Sequence, residues 1–341
     1  MQRHTWILLI VLALISVMVA LNLGRYAISI PEACGIVLDS CGIKGILPPP
    51  TERSAIVFWN VRIPRIIMAF AVGCGISIAG VVFQAIFRNP LASPDILGVS
   101  AGCAFGAALS IVFFNGIAMA GIQGSAFFFG ILAVSLTYLL GSRSWDKSTA
   151  VLVISGIVVS ALFQAGLSIL QYISDPYDQL AKIMFWTMGS FQVSTWEKVQ
   201  ITLPIIIIGS IILGVFGWRL NIMTQDEKDI LSLGIDLKRW RMLYLGVGTL
   251  IVAAAVSTVG DIRWVGLIMP HIARFIVGTE HKKLVPAAGL LGGSFLLFMD
   301  TFARTATTAE IPISIITSIF GAPFLAYLVL KRVGGASKVD H

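Results

Sequence analysis

The stretch RIPRIIMAFAVGCGISIAGVVFQAIFRNPLASPDILGVSAG, Arg62 to Gly102, holds the pattern that decides the fold. From Pro64 to Ile86 it is apolar apart from Arg65 and a few small polar residues, and a hydrocarbon layer about 30 Å thick needs roughly 20 such residues as helix. Arg88 marks the end of that run. Pro90 then removes a backbone donor and biases Asn89 away from helix, so the chain must turn. Ser93, Pro94 and Asp95 follow as a predicted N-cap, first helical residue and first-turn acid of the next helix. Gly98, Gly102 and Gly106, spaced by four, would let that helix approach a neighbour closely.

The same alternation of apolar run and punctuated turn extends over all 341 residues, of which 57% are hydrophobic and only 12% charged. A mean hydropathy of +0.91 is that of a polytopic membrane protein. Continuous Leu, Ile, Val, Ala and Gly runs lack the period-two alternation of a barrel, so the spanning elements are helices. Ten spans are predicted: Trp6 to Leu23, Pro64 to Ile86, Ile96 to Phe114, Ile117 to Leu140, Thr149 to Tyr172, Val199 to Trp218, Met242 to Val259, Trp264 to Val277, Leu284 to Met299 and Ile311 to Leu330. The eighth is short and contains Pro270, His271 and Arg274, and hydropathy alone accommodates nine. The first reads as a membrane helix rather than a cleaved signal, because its apolar run exceeds the usual core and ends without a small-residue cleavage pattern.

With both termini on one side, fifteen of the 24 basic residues and eight acids collect there, so the formal +7 falls on that face. The positive-inside rule makes it cytoplasmic. The charge thus reports topology, not a nucleic-acid partner. Residues 25–62 form a long external loop, expected as a short surface helix followed by extended chain through LPPP. It carries Cys34 and Cys41, for which a disulfide and two free thiols both stay open. On the inside, residues 219–241 read as two short helices, with Gly234 in a left-handed turn and Asp236 as an N-cap. A docking knob and a solvated connector both fit that charged hairpin.

No phosphate-binding GxxxxGK[ST], HExxH or Cys/His cluster occurs, and His271 reads as a satisfied helix-end residue. The chain itself is therefore not expected to be an enzyme or to hold a metal or cofactor. Few ionisable residues fall within the spans, which points to energy supplied by a partner rather than by a coupled ion.

The motifs RIPRIIMAFAVGCGISIAGVVFQAIFRNPLASPDILGVSAG, FWTMGSF (185–191), LSLGIDLKRWR (231–241), VGLIMPHIARFIVGTEHKKLVP (265–286), MDTFAR (299–304) and AEIPISIITSIFGAPFLAYLVLKR (309–332) closely resemble the FecCD-type permease subunits. These serve binding-protein-dependent ATP-binding-cassette importers of iron-siderophores, haem, cobalamin and, in some members, molybdate. The resemblance implies one all-α integral membrane domain over residues 1–341, a ten-helix bundle of the type II importer kind. It further implies pairing with a second copy or paralogue, two cytoplasmic ATPase subunits that use ATP and Mg, a periplasmic or lipid-anchored binding protein, and a bacterial or archaeal inner-membrane location.

By the same resemblance Arg62, Arg65 and Arg304 match arginines that dock the binding protein, although helix-end snorkelling or pairing of Arg304 with Asp300 would explain them too. The hairpin residues Asp226, Leu231, Gly234, Lys238 and Arg241 match the ATPase-coupling element. Asn89 and Leu91 with Ser148 and Thr149 match a cytoplasmic gate, in which Ala150 departs from a third small polar residue. Ser155, Ser160, Gln164 and Ser168 on the fifth helix are pathway candidates, for which helix-helix hydrogen bonding is an equal explanation. A ferric siderophore is the first expectation for cargo, with haem, cobalamin and molybdate as competitors. The alternatives of another class are an ion-coupled secondary carrier and a membrane enzyme.

Overall fold

The computed structural model describes residues 2–43, 51–114, 119–143, 149–225, 230 and 234–336, and every regular element among them is helical. In chain order these are α1 (Gln2–Asn22), α2 (Ile30–Ser40), α3 (Glu52–Val57), a π-helical turn (Phe58–Arg62), α4 (Ile63–Ile86), a 3-10 turn (Pro94–Leu97), α5 (Val99–Phe114), α6 (Met119–Arg143) and α7 (Thr149–Ile173). Then come α8 (Gln179–Met188), α9 (Trp196–Val215), α10 (Gly217–Met223), α11 (Leu237–Val259), α12 (Val265–Val277), α13 (His281–Thr305) and α14 (Ile313–Ala336). Among the described residues seven helical segments are long and apolar enough to cross a membrane, and α5, α12 and most of α14 are shorter apolar helices.

The helix read from the opening stretch is the centre of the bundle. Only Ile63, Ile67, Phe70 and Cys74 of α4 keep partial exposure, a single stripe at helical spacing, and the rest is buried. So apolar a helix belongs in such a place, because its few polar residues make no continuous face to give to water. Small residues let its neighbours reach it. A Cβ on Gly73 would lie 2.3 Å from the Gly292 carbonyl of α13, and one on Gly80 would lie 1.9 Å from the Gly266 carbonyl of α12. Backbone therefore meets backbone on two sides, and α9 and α11 close the rest through Ile206 and Ile251 against Gly75.

Several element ends differ from the sequence reading. The second span extends back through the π-helical turn to Glu52, so a helix occupies part of what reads as external loop. Helix α13 runs from His281 to Thr305 and carries Asp300 and Arg304 within it, whereas the reading ended that span at Met299. Ser93 makes no side-chain cap. Pro94–Leu97 is instead a separate 3-10 turn ended by Gly98 at φ 83°, and α5 starts at Val99. Asp95 supplies the cap, its Oδ1 accepting from the Ser100 amide at 3.0 Å. Gly102 and Gly106 do bring α5 onto the Phe129 and Ser125 carbonyls of α6. Cys34 and Cys41 are both free thiols.

Candidate functional site

Two connections meet at one place. The 3-10 turn packs on α7, where a Cβ on Gly156 would lie 2.1 Å from the Ile96 carbonyl. On its other side Pro94 touches Gly266 at the start of α12. Helix α12 has 13 residues, about 20 Å of helix, too short to cross alone. The residues before it, Gly260 to Trp264, complete its path as irregular backbone. Gly260 has φ 82° and Trp264 φ 73°, the latter a strained value for a residue with a bulky side chain. The Trp264 indole donates to Ser318 Oγ at 3.0 Å and packs against Gly321 of α14, which holds the strained residue in place.

Between these segments, α7 and the end of α8 lies a cavity of about 490 Å³. Helix α7 faces it with Ser160, Gln164, Leu167 and Gln171, spaced by four, three and four along one side. Asp95, Asp261 and Arg263 supply its charge. Arg263 Nε donates to Asp261 Oδ2 at 2.8 Å. The Arg263 side chain stays 67% exposed, and its Nη groups make no hydrogen bond among the described residues. Irregular backbone at such a position is tolerated where it lines a cavity rather than lipid.

Of the pathway candidates, Ser160 and Gln164 line this cavity. Ser155 is buried, and Ser168 donates to the Gln164 carbonyl at 3.0 Å instead of facing the cavity. The sequence reading gives Asp95 only as a first-turn acid and assigns Asp261 and Arg263 no place in a site. The available signal was a D-x-R pair after a glycine and ahead of an unusually short apolar run.

At one end of the bundle Arg62, Arg65 and Arg304 do come together, as three guanidiniums buried by the chain's own groups. Arg65 forks onto two carboxylates, with Nε and Nη2 donating to Asp300 at 2.8–3.1 Å and Nη1 and Nη2 donating to Glu310 at 2.9–3.0 Å. Arg62 donates to the Leu21 and Tyr26 carbonyls, and Arg304 to the Ala20 carbonyl at 2.6 Å. The local pairing of Arg304 with Asp300 exists, at 4.0 Å.

At the other end Asn89 Oδ1 accepts from the Leu91 amide at 2.9 Å, an Asx turn that leaves Leu91 half exposed. The turn is tied down by His271 Nε2 against the Pro90 carbonyl at 2.8 Å and by Arg88, which donates to the Gln225 carbonyl. Thr149 opens α7, and Ser148 lies outside the described residues. In the hairpin Gly234 has φ 70°, and Asp236 caps α11 by accepting from the Arg239 amide at 3.1 Å. Lys238 is exposed and Arg241 partly buried, while Asp226 and Leu231 lie outside the described residues. Arg219 of α10 stacks over Trp240 at 4.0 Å and Trp218 at 5.0 Å, which joins the two arms of the hairpin.

A helical membrane bundle with a polar cavity beside interrupted helices is the construction of a transport permease. Residues 9–331 match the FecCD transport family, and the chain belongs to it. It is 40% identical over 328 residues to the molybdate import system permease protein MolB of Haemophilus influenzae, covering 96% of this chain and 95% of that one. It is 38% identical over 281 residues to the cobalamin import system permease protein BtuC of Halobacterium salinarum, covering 82% and 75%. Among solved structures it superposes with a TM-score of 0.84 on a metal-chelate type ABC transporter in an inward-facing conformation, at 37% identity over 97% of this chain and all of that one. The chain is thus a multi-pass ABC-importer permease. In this family ATP hydrolysis sits on a separate subunit, and membership implies ATPase and substrate-binding partners.

Proposed function

We propose that this chain crosses the membrane ten times and pairs with a second permease copy or paralogue, so that the cavity beside α7 faces a shared pathway. The hairpin end is cytoplasmic in this reading, with both termini on that side and two ATPase subunits beneath. Asn89, Leu91, Ser148 and Thr149 form the inner gate. The arginine end faces a binding protein, and Arg62, Arg65 and Arg304 shape that surface from within, since their guanidiniums are held by Asp300, Glu310 and backbone carbonyls.

The cargo in this reading is an anionic metal species, an oxyanion of the molybdate kind or an anionic ferric chelate. Relatives named for molybdate and for cobalamin share this scaffold, so the scaffold does not select. The observation that carries the reading is Arg263, exposed in the cavity with its Nη groups unengaged among the described residues. Asp261 and Asp95 beside it offset its charge, which suits a pathway that must release what it attracts.

Reconstitution with the cognate ATPase and binding protein tests both levels. Uptake should cease when the ATPase nucleotide site is inactivated, and persistence would overturn the importer reading. Arg263→Gln should lower uptake of molybdate or an anionic ferric chelate several-fold while leaving basal ATP hydrolysis intact. Uptake unchanged by that substitution would overturn the anion reading alone.

A further inference from the structure

A second and larger cavity, about 660 Å³, opens at the arginine end between α8, the start of α9 and the end of α11. Its walls are mainly apolar, with Ile111, Ile122, Phe185, Trp186 and Val259 among them. Into this space comes Lys198, from the first turn of α9. It is 8% exposed, and its Nζ has no hydrogen bond or ion pair among the described residues. The two carboxylates in the same cavity already have cations of their own: Glu310 is held by Arg65, and Asp178 by Lys182 at 2.6 Å. The adjacent Glu197 is exposed.

An unpaired ammonium in such a setting is costly, and buried charges in proteins are as a rule paired. Polar side chains near it are committed to one another. Gln123 Nε2 donates to Thr202 Oγ1 at 3.1 Å and to Thr258 Oγ1 at 2.9 Å, and the two threonine hydroxyls are 2.7 Å apart. All three side chains are neutral, so none of them supplies a counter-charge to Lys198.

A groove adjoins this cavity. Gln123 and Ser257 line both the large cavity and a smaller one of about 170 Å³ between α6 and α9, walled by Phe127, Ile201, Ile205 and Ala254. This groove follows outward-facing helix surfaces on which Phe128, Ile201 and Ile208 are exposed apolar residues. A cationic head position beside an apolar trench along membrane helices has the chemistry of an acidic amphiphile. Backbone carbonyls and neutral headgroups would leave the ammonium uncompensated, and a small soluble anion would leave the trench unfilled.

We propose that the space between α6, α8 and α9 binds an anionic phospholipid, with its phosphodiester on Lys198 and an acyl chain in the groove beside Phe127 and Ile205. The site is independent of the pathway cavity and of the cargo.

The test uses the full-length protein, delipidated and titrated with phosphatidylglycerol or phosphatidylcholine, with retained lipid read by native mass spectrometry. Wild type should retain phosphatidylglycerol in preference to phosphatidylcholine. A charge-assisted hydrogen bond of the usual strength makes the loss in Lys198→Met about tenfold or more. Lys198→Arg should keep the preference, and Arg53→Gln, exposed at the same end, should leave it unchanged. Lys198→Met should also keep its thermal transition in detergent, since it removes a charge without a partner. Equal retention by wild type and Lys198→Met, or equal retention of the two lipids by wild type, would overturn the proposal. Displacement of phosphatidylglycerol by millimolar inorganic phosphate would also overturn it, by assigning the site to a soluble anion.

Discussion

Replacing Arg65 with Met separates the two roles open to the arginine end. The Arg65 side chain is 7% exposed, and those of Asp300 and Glu310 are 2% and 14% exposed. Methionine preserves much of the volume of Arg65 but takes the cation from both carboxylates. Removing one member of a buried ion pair costs about 3–5 kcal/mol, because the remaining charge is stranded away from water. Against total stabilities of about 5–15 kcal/mol this is a large share. Thermal unfolding in detergent should therefore show a marked drop in the transition. Asp300→Asn should cost less, since Glu310 still holds Arg65. The double variant Arg65→Met with Asp300→Asn should recover part of the loss, and the cycle of the four proteins measures the coupling. Binding-protein affinity, measured on the same variants by pull-down at low salt, completes the test. A transition unchanged by Arg65→Met, together with lost affinity, would refute the internal-clamp argument and return Arg65 to direct docking.

Two further substitutions probe the packing and the hairpin. Gly80→Val should prevent stable folding, because even the first carbon added would lie 1.9 Å from the Gly266 carbonyl, and overpacking alone costs about 1–3 kcal/mol or more; expression and monodispersity in detergent check this, and a wild-type elution profile would contradict it. Gly234→Val places a branched residue at φ 70° in an open site with no neighbouring atom to clash, so the cost of about 1–3 kcal/mol is confined to the hairpin. The thermal transition of the bundle should hold while uptake per ATP hydrolysed falls, and an unchanged coupling ratio would remove the hairpin from that role.

How much of this was legible in the sequence depended on whether the signal was local. The apolar continuity of Pro64 to Ile86 was enough to mark a helix with no solvated face, and α4 is the buried centre. Asp236 before an apolar run was enough to mark a cap. The start of α5 was misread because Ser93, Pro94 and Asp95 form a sound local cap pattern. What overrides it is tertiary: Gly156 and Gly266 let the 3-10 turn settle between α7 and α12, and Gly98 resets the chain direction. Arg263 and Lys198 were missed for a similar reason. Each looks like a terminal charge in sequence, and only the fold shows one in a polar cavity and the other in an apolar one. The three arginines lie together at one end of the bundle, but sequence carries no sign of which way a guanidinium turns.

The position of α11 connects the two ends of this argument. Its N-cap, Asp236, belongs to the hairpin, and its last residue, Val259, adjoins Gly260 at the segment that carries Asp261 and Arg263. Its 23 residues make one uninterrupted helix of about 35 Å. Because α11 packs on α4, α6 and α9, it is held along its length by the core rather than by loops. A displacement of the hairpin therefore reaches the cavity as a movement of a rigid rod, and the compliance lies at its ends. Gly234 at φ 70° provides one, and Gly260 at φ 82° the other. Past Gly260 the strained Trp264 is held by Ser318 and Gly321 of α14, so the segment bearing Arg263 is fixed on one side by α11 and on the other by α14. A cavity-lining arginine mounted between two such helices changes its surroundings when they shift relative to each other, which small, packed displacements at the remote hairpin are able to produce.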